Sequence, residues 1–247
     1  MQHFVVIAMP RSGSTRLCDI LGRHPAISCH LEIFHPDEVQ AHLPRDCGLE
    51  VMDPVKRDAN PKLFLDKFLA FNEESLKDSQ KQRHGFKAML DRNQLATVTE
   101  VVAPDPRLRK IVLFRDNLLA VYASIEMALA TGVWHRTAGA DAPQEPERKI
   151  DFDWDRFFSI AGEQTLTRNA VEEAMHRSHQ QFLPMAYEET LTKRGMERVW
   201  DFLNVPPVEI EGIYRRTYDR RLIDQFGNPE RVAVAVRALG RPEWLDG

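Results

Sequence analysis

Apolar positions along this chain fall into two kinds of run. Short, unbroken, β-branched runs read as buried strands: Phe4-Val5-Val6-Ile7-Ala8-Met9, closed by Pro10, and Lys110-Ile111-Val112-Leu113-Phe114. Gly85-Phe86-Lys87-Ala88-Met89-Leu90 and Phe182-Leu183-Pro184-Met185-Ala186-Tyr187 read the same way, and Ile27-Ser28-Cys29 predicts a shorter strand followed by a polar turn. Between these runs apolar residues recur at helical spacing. Leu17, Ile20 and Leu21 predict a helix over 14–23, stopped by His24-Pro25. Similar spacing predicts helices over 61–78, 118–131, 153–178 and 229–239, a weak one over 93–103, and one through Met196, Val199, Trp200 and Leu203 ending before Pro206-Pro207. Residues 37–60 follow no period, because Pro44, Gly48 and Pro54 interrupt each candidate.

Strands alternating with helices predict an α/β fold: a mostly parallel sheet with helices on both faces, a P-loop-like three-layer sandwich. No repeat or linker divides the chain, which reads as a single domain over 1–247, with 36–82 and 132–155 as insertions. Ligands of such sheets lie at the carboxyl ends of the strands. That end collects Arg11-Ser12-Gly13-Ser14-Thr15, Lys87 and Arg115.

Composition narrows the function. The 247 residues carry a net charge of -4, which argues against a general nucleic-acid binder. The three cysteines, Cys18, Cys29 and Cys47, lack the CxxC spacing of a zinc site and read as packed or free thiols. No apolar run is long enough to span a bilayer, and the pattern reads as a soluble cytoplasmic protein.

The turn after the first strand concentrates the chemistry. A turn feeding a helix N-terminus offers unpaired N–H groups and a positive dipole end to an anion. Arg11 adds a fixed charge and Ser12, Ser14 and Thr15 add hydroxyls, so the segment reads as a phosphate- or sulfate-binding loop. It departs from the G-x-x-x-x-G-K-[ST] loop, since no Lys follows Gly13. Arg115, in turn, stands where a metal-binding Asp would end the second strong strand. Arginine there suits an anion. Arg115 and Ser124, two helical turns further on, make a candidate second phosphate site.

With Pro10-Arg11-Ser12-Gly13-Ser14-Thr15 and Ile111 through Arg115-Asp116-Asn117 to Ser124 on the page, the chain resembles the sulfotransferases that use 3′-phosphoadenosine-5′-phosphosulfate (PAPS). Within them it is most similar to the bacterial nodulation-type and trehalose-type carbohydrate enzymes. Leu31-Glu32-Ile33-Phe34, Gly85-Phe86-Lys87, Thr131-Gly132-Val133-Trp134, Tyr187 through Leu191 and Leu222 through Asn228 support the likeness. The resemblance implies PAPS as donor, no metal, and a hydroxyl of a carbohydrate or glycolipid as acceptor. It assigns Arg11, Ser12, Gly13, Ser14 and Thr15 to the 5′-phosphosulfate, and Arg115 and Ser124 to the 3′-phosphate. The spacing from Arg115 to Ser124 is one longer than in the cytosolic aryl and steroid enzymes.

The resemblance makes 36–82 and 132–155 the acceptor-side parts and Glu32 the expected general base, with His30 and His35 as fallback bases; a carboxylate can take the proton an attacking hydroxyl must lose. Lys87 is the expected cation for the leaving phosphate or sulfuryl oxygens. Trp134 and His135 are candidates for stacking on a base or sugar. The cluster Arg215, Arg216, Arg220 and Arg221 is either a further anion contact or a solvated face. Two other readings stay open: a P-loop small-molecule kinase, and a non-catalytic protein that binds 3′-phosphoadenosine nucleotides.

Overall fold

Each residue from Phe4 to Met9 is buried, and its two faces feed two separate cores. In the computed structural model, which describes residues 2–41, 53–91, 94–134, 149–214 and 221–246, this run up to Ala8 lies in the central strand β1 (Gln2–Ala8), and Met9 directly follows it. Around it stand β2 (Ile27–Glu32), β3 (Arg83–Met89), β4 (Leu108–Phe114) and β5 (Phe182–Ala186). All neighbours pair in parallel, in the order β2-β3-β1-β4-β5.

Side chains alternate across a strand. Val5, Ile7 and Met9 pack with Phe64, Leu65, Phe68 and Leu69 of helix α3 (Pro61–Ser75) and with Val171, Ala174 and Met175. Phe4, Val6 and Ala8 pack with Leu17, Ile20 and Leu21 of α1 (Ser14–Arg23) and with Val199, Trp200 and Leu203 of α7 (Lys193–Leu203). Helices thus cover both faces, giving the three-layer α/β sandwich expected from the pattern. The sheet is close-packed. Phe4 lies flat on its register partner Gly85, where an added Cβ would sit 2.2 Å from the ring.

Two expectations needed correction. Strand β2 does not stop at residue 29 but runs through Glu32. It does so by slipping register between Cys29 and Glu32, an irregularity that no residue pattern signals. The unreadable stretch holds α2 (Pro54–Ala59), capped by Asp53 with Pro54 at its first turn. It escaped notice because its single buried residue is an arginine, Arg57. The weak helix near 93–103 is α4 (Leu95–Thr97) continued by a π-helical turn over Val98–Val102.

By contacts the chain divides into two compact units. The first, Met1–Phe114 with Thr167–Gly212, contains the whole sheet. The second is Arg115–Leu166 with Ile213–Gly247. It has its own core, in which Leu119, Val121 and Tyr122 of α5 (Leu118–Thr131) meet Phe152, Phe157, Phe226 and Val232. Helix α6 (Trp154–Arg177) contributes its first half to the second unit, and α8 (Pro229–Ala238) completes that unit. Among the described residues no helix is long and apolar enough to cross a membrane.

Three histidines from adjacent strands meet under α3. His84 is fully buried with both ring nitrogens unbonded, between His3 (centroids 5.6 Å apart) and His30 (4.8 Å). Burial drives the His84 pKa down to about 2, with the neighbouring histidines adding to the effect, and burial also lowers that of His3. Between pH 6.5 and 2 the unfolded chain therefore binds a proton that folded His84 refuses. The stability held above pH 6.5 is lost as pH falls, at about 1.4 kcal/mol per pH unit for this one group. Thermal melts from pH 7.5 to 5 should show a steep fall for the wild type. His84→Leu should remove about one proton's worth of that slope and raise stability near pH 5.5; an unchanged slope would contradict the assignment.

Candidate functional site

The turn between β1 and α1 is bent by two left-handed residues, Arg11 (φ 64) and Gly13 (φ 77). Such a conformation strains a residue with a Cβ. At Gly13 a side chain is also excluded, because its Cβ would lie 2.3 Å from the Tyr187 ring. Tyr187 follows β5 and is tied to the sheet by its N–H to the Phe114 carbonyl (2.7 Å), so it forms the floor of the turn. Ser12 donates its hydroxyl (2.6 Å) and its N–H (3.3 Å) to the Met9 carbonyl, closing the bend. The Ser14 hydroxyl reaches the Met89 sulfur at 3.7 Å. Gly13 occupies the cap position of α1 without a side-chain cap, and the first turn holds no acidic residue. The helix start thus has neither a side-chain cap nor a competing acid, an arrangement electrostatically suited to an anion.

Beside this helix start stands a buried charge. The Lys87 ammonium, on β3, pairs with Glu32 Oε1 at 2.8 Å and donates to Thr15 Oγ1 at 3.3 Å. The lysine side chain is 4% exposed and the glutamate 16%. One cation thus links three residues singled out from the sequence, on three different elements. The register slip in β2 produces the meeting. Cys29 pairs with Gly85, so unbroken pairing would set Leu31 opposite Lys87; the slip sets Glu32 there instead. A one-residue shift moves a side chain to the other face of a sheet. Beneath the pair lie two free, buried thiols. A hydrogen bond with Cys29 holds the Cys18 thiol below its usual range, and the same contact and burial push Cys29 up.

The fallback bases do not join this group. His30 is buried on the opposite face, its ring bonded to Asn72 Oδ1 at 3.0 Å. His35 takes the Asp37 N–H on its Nδ1. Arg115 and Ser124, both half-buried, belong to the second unit: Arg115 directly follows β4 and Ser124 lies on α5. Asn117 caps α5 by accepting the Ala120 N–H at 2.9 Å, and its amide donates to the Trp244 carbonyl. Trp134 is 46% exposed. Arg221 pairs with Asp246 on the surface. His135, Cys47, Arg215, Arg216 and Arg220 lie outside the described residues.

Removing one member of a buried ion pair strands the other. Lys87→Met should cost about 2–3 kcal/mol in chemical denaturation, less than for a wholly buried pair because Glu32 is partly exposed. Adding Glu32→Gln to that variant should recover much of the loss. Equal, additive losses would show that the two groups are not coupled.

No family model and no curated protein matches this chain. Among solved structures it is similar to the chain titled "Sulfotransferase Domain from the Curacin Biosynthetic Pathway", 15% identical, with 96% of this chain and 98% of that one covered at a TM-score of 0.49. Likeness at that level leaves the functional reading to this chain's own residues.

Proposed function

We propose that this chain is a sulfotransferase that moves a sulfuryl group from PAPS to a hydroxyl of a carbohydrate or glycolipid. The observation that supports the reading best is the Lys87 ammonium, in contact with both the Glu32 carboxylate and the Thr15 hydroxyl beside an uncapped helix start. Those groups suit a phosphosulfate: open amides, a nearby fixed cation in Arg11, and no competing acid in the first turn.

Bound PAPS would supply the sulfuryl group and the phosphate that leaves. The amides at the start of α1, with Arg11, Ser14 and Thr15, would hold the 5′-phosphosulfate, while Ser12 keeps the turn closed. Glu32 takes the proton of the acceptor hydroxyl as that oxygen bonds to sulfur. Lys87 offsets the charge left on the phosphate oxygen when its bond to sulfur breaks. Arg115 and Ser124 are proposed for the 3′-phosphate on their sequence element.

Calorimetry with 3′-phosphoadenosine 5′-phosphate against ADP and ATP tests the class. Tighter binding of the 3′-phosphorylated nucleotide is expected; preference for ATP with Mg²⁺ turnover would replace this reading with a kinase. Arg115→Ala should weaken 3′-phosphoadenosine 5′-phosphate by about 2–4 kcal/mol, and unchanged affinity would remove Arg115 from the 3′-site. With radiolabelled PAPS and a panel of saccharides and glycolipids, Glu32→Gln should lower transfer by about 10²–10⁴-fold while donor affinity is kept. Intact transfer in that variant would exclude Glu32 as the base.

A further inference from the structure

The side chain of Arg57 is the one buried residue of α2 and is 1% exposed. A buried guanidinium is costly unless its donors are satisfied. Here one nitrogen, Nη1, donates to three backbone carbonyls: Ile33 at 3.1 Å, His35 at 2.7 Å and Glu38 at 3.3 Å. Nε and the other terminal nitrogen pair with Asp58, whose side chain is 60% exposed. The three carbonyls belong to the turn that follows Glu32. That turn folds back on Glu32, whose carbonyl accepts the N–H groups of His35 (3.2 Å) and Gln40 (3.0 Å).

Glu32 ends β2 just after the register slip, so strand pairing alone holds it weakly. On the downstream side, Ile33 and Phe34 enter the core and Arg57 gathers the carbonyls between them and Glu38. We infer that Arg57 is a positioning residue for Glu32: by clamping the turn over 33–38 it holds the carboxylate against the Lys87 ammonium. The role of Glu32 as base rests on the function proposed above; the clamp does not. Arginine suits the task because its planar fork serves several acceptors at fixed angles, which a lysine ammonium cannot reproduce.

The test is residue-resolved lysine acylation with acetic anhydride, read by mass spectrometry on the full chain. Lys87 is shielded by its pairing with Glu32. Lys110 is equally buried in β4, bonded to the Asp105 carbonyl (2.6 Å) and Gln180 Oε1 (2.7 Å), and reports general opening of the same unit. In Arg57→Ala, acylation of Lys87 should rise about tenfold or more, as expected for losing bonds to a charged donor. Lys110 should stay unchanged, and millimolar guanidinium should restore the protection of Lys87. Arg57→Lys, which keeps the charge and is the fallback if the alanine variant fails to fold, should give a smaller rise that guanidinium does not reverse. A parallel rise at Lys87 and Lys110, or no rise at either, would overturn the inference. Binding of 3′-phosphoadenosine 5′-phosphate is measured on the same samples. Its absence in the wild type would count against the proposed function, whatever the labelling shows.

Discussion

A lysine ammonium taken out of water needs acceptors, and the first unit is built around the one at Lys87. Its ion pair with Glu32 joins β2 to β3, and its bond to Thr15 joins β3 to α1. Desolvating two charges costs several kcal/mol apiece, so such a pair is poor evidence of stability. Packed apolar residues would hold these three elements together at least as well. The pair makes better sense as a placement device: it fixes a carboxylate and a cation next to the start of α1, where the first-turn N–H groups have no intrahelical partner.

Two backbone irregularities make the placement possible, each held by its neighbours. The left-handed pair Arg11 and Gly13 turns the chain from β1 into α1, with Tyr187 packed where any side chain at Gly13 would be. The slip in β2 turns Glu32 onto the face of Lys87. Strained or irregular backbone persists only where the surroundings over-determine it. Here the surroundings are specific: Ser12 on the Met9 carbonyl, Tyr187 on the Phe114 carbonyl, and Arg57 on the turn beyond Glu32.

The fold was largely legible because burial writes itself into composition. Phe4 to Met9 and Ile111 to Phe114 are apolar throughout, as strands covered on both faces must be. The loop from Arg11 to Thr15 was legible because its polar residues sit where the pattern changes period. What stayed hidden was long-range or set by backbone. The slip that pairs Glu32 with Lys87 leaves no mark in residue type, and α2 buries a guanidinium instead of an apolar stripe. The histidines show the same limit. His30 stands two residues before Glu32, a spacing that would put both on one face of a regular strand, yet the slip turns Glu32 toward Lys87 and leaves His30 packed against α3.

Charge gives the sharpest contrast between the whole chain and the site. A net charge of -4 spread over 247 residues says only that no extended cationic surface is expected. Locally the balance differs. Charged side chains at or beside the start of α1 include Arg11, Arg16, Lys87 and Glu32; Arg16 is turned to the Thr190 carbonyl at 3.2 Å, and Lys87 and Glu32 compensate each other. Short-range interaction in a poorly hydrated setting far outweighs the screened field of distant surface acids. Anion recognition at the start of α1, as proposed above, would rest on a few paired groups and open amides, about which net charge is uninformative. A lysine shared between a carboxylate and a hydroxyl at the start of a helix is an economical arrangement, because one ammonium can answer negative charge on either side of it.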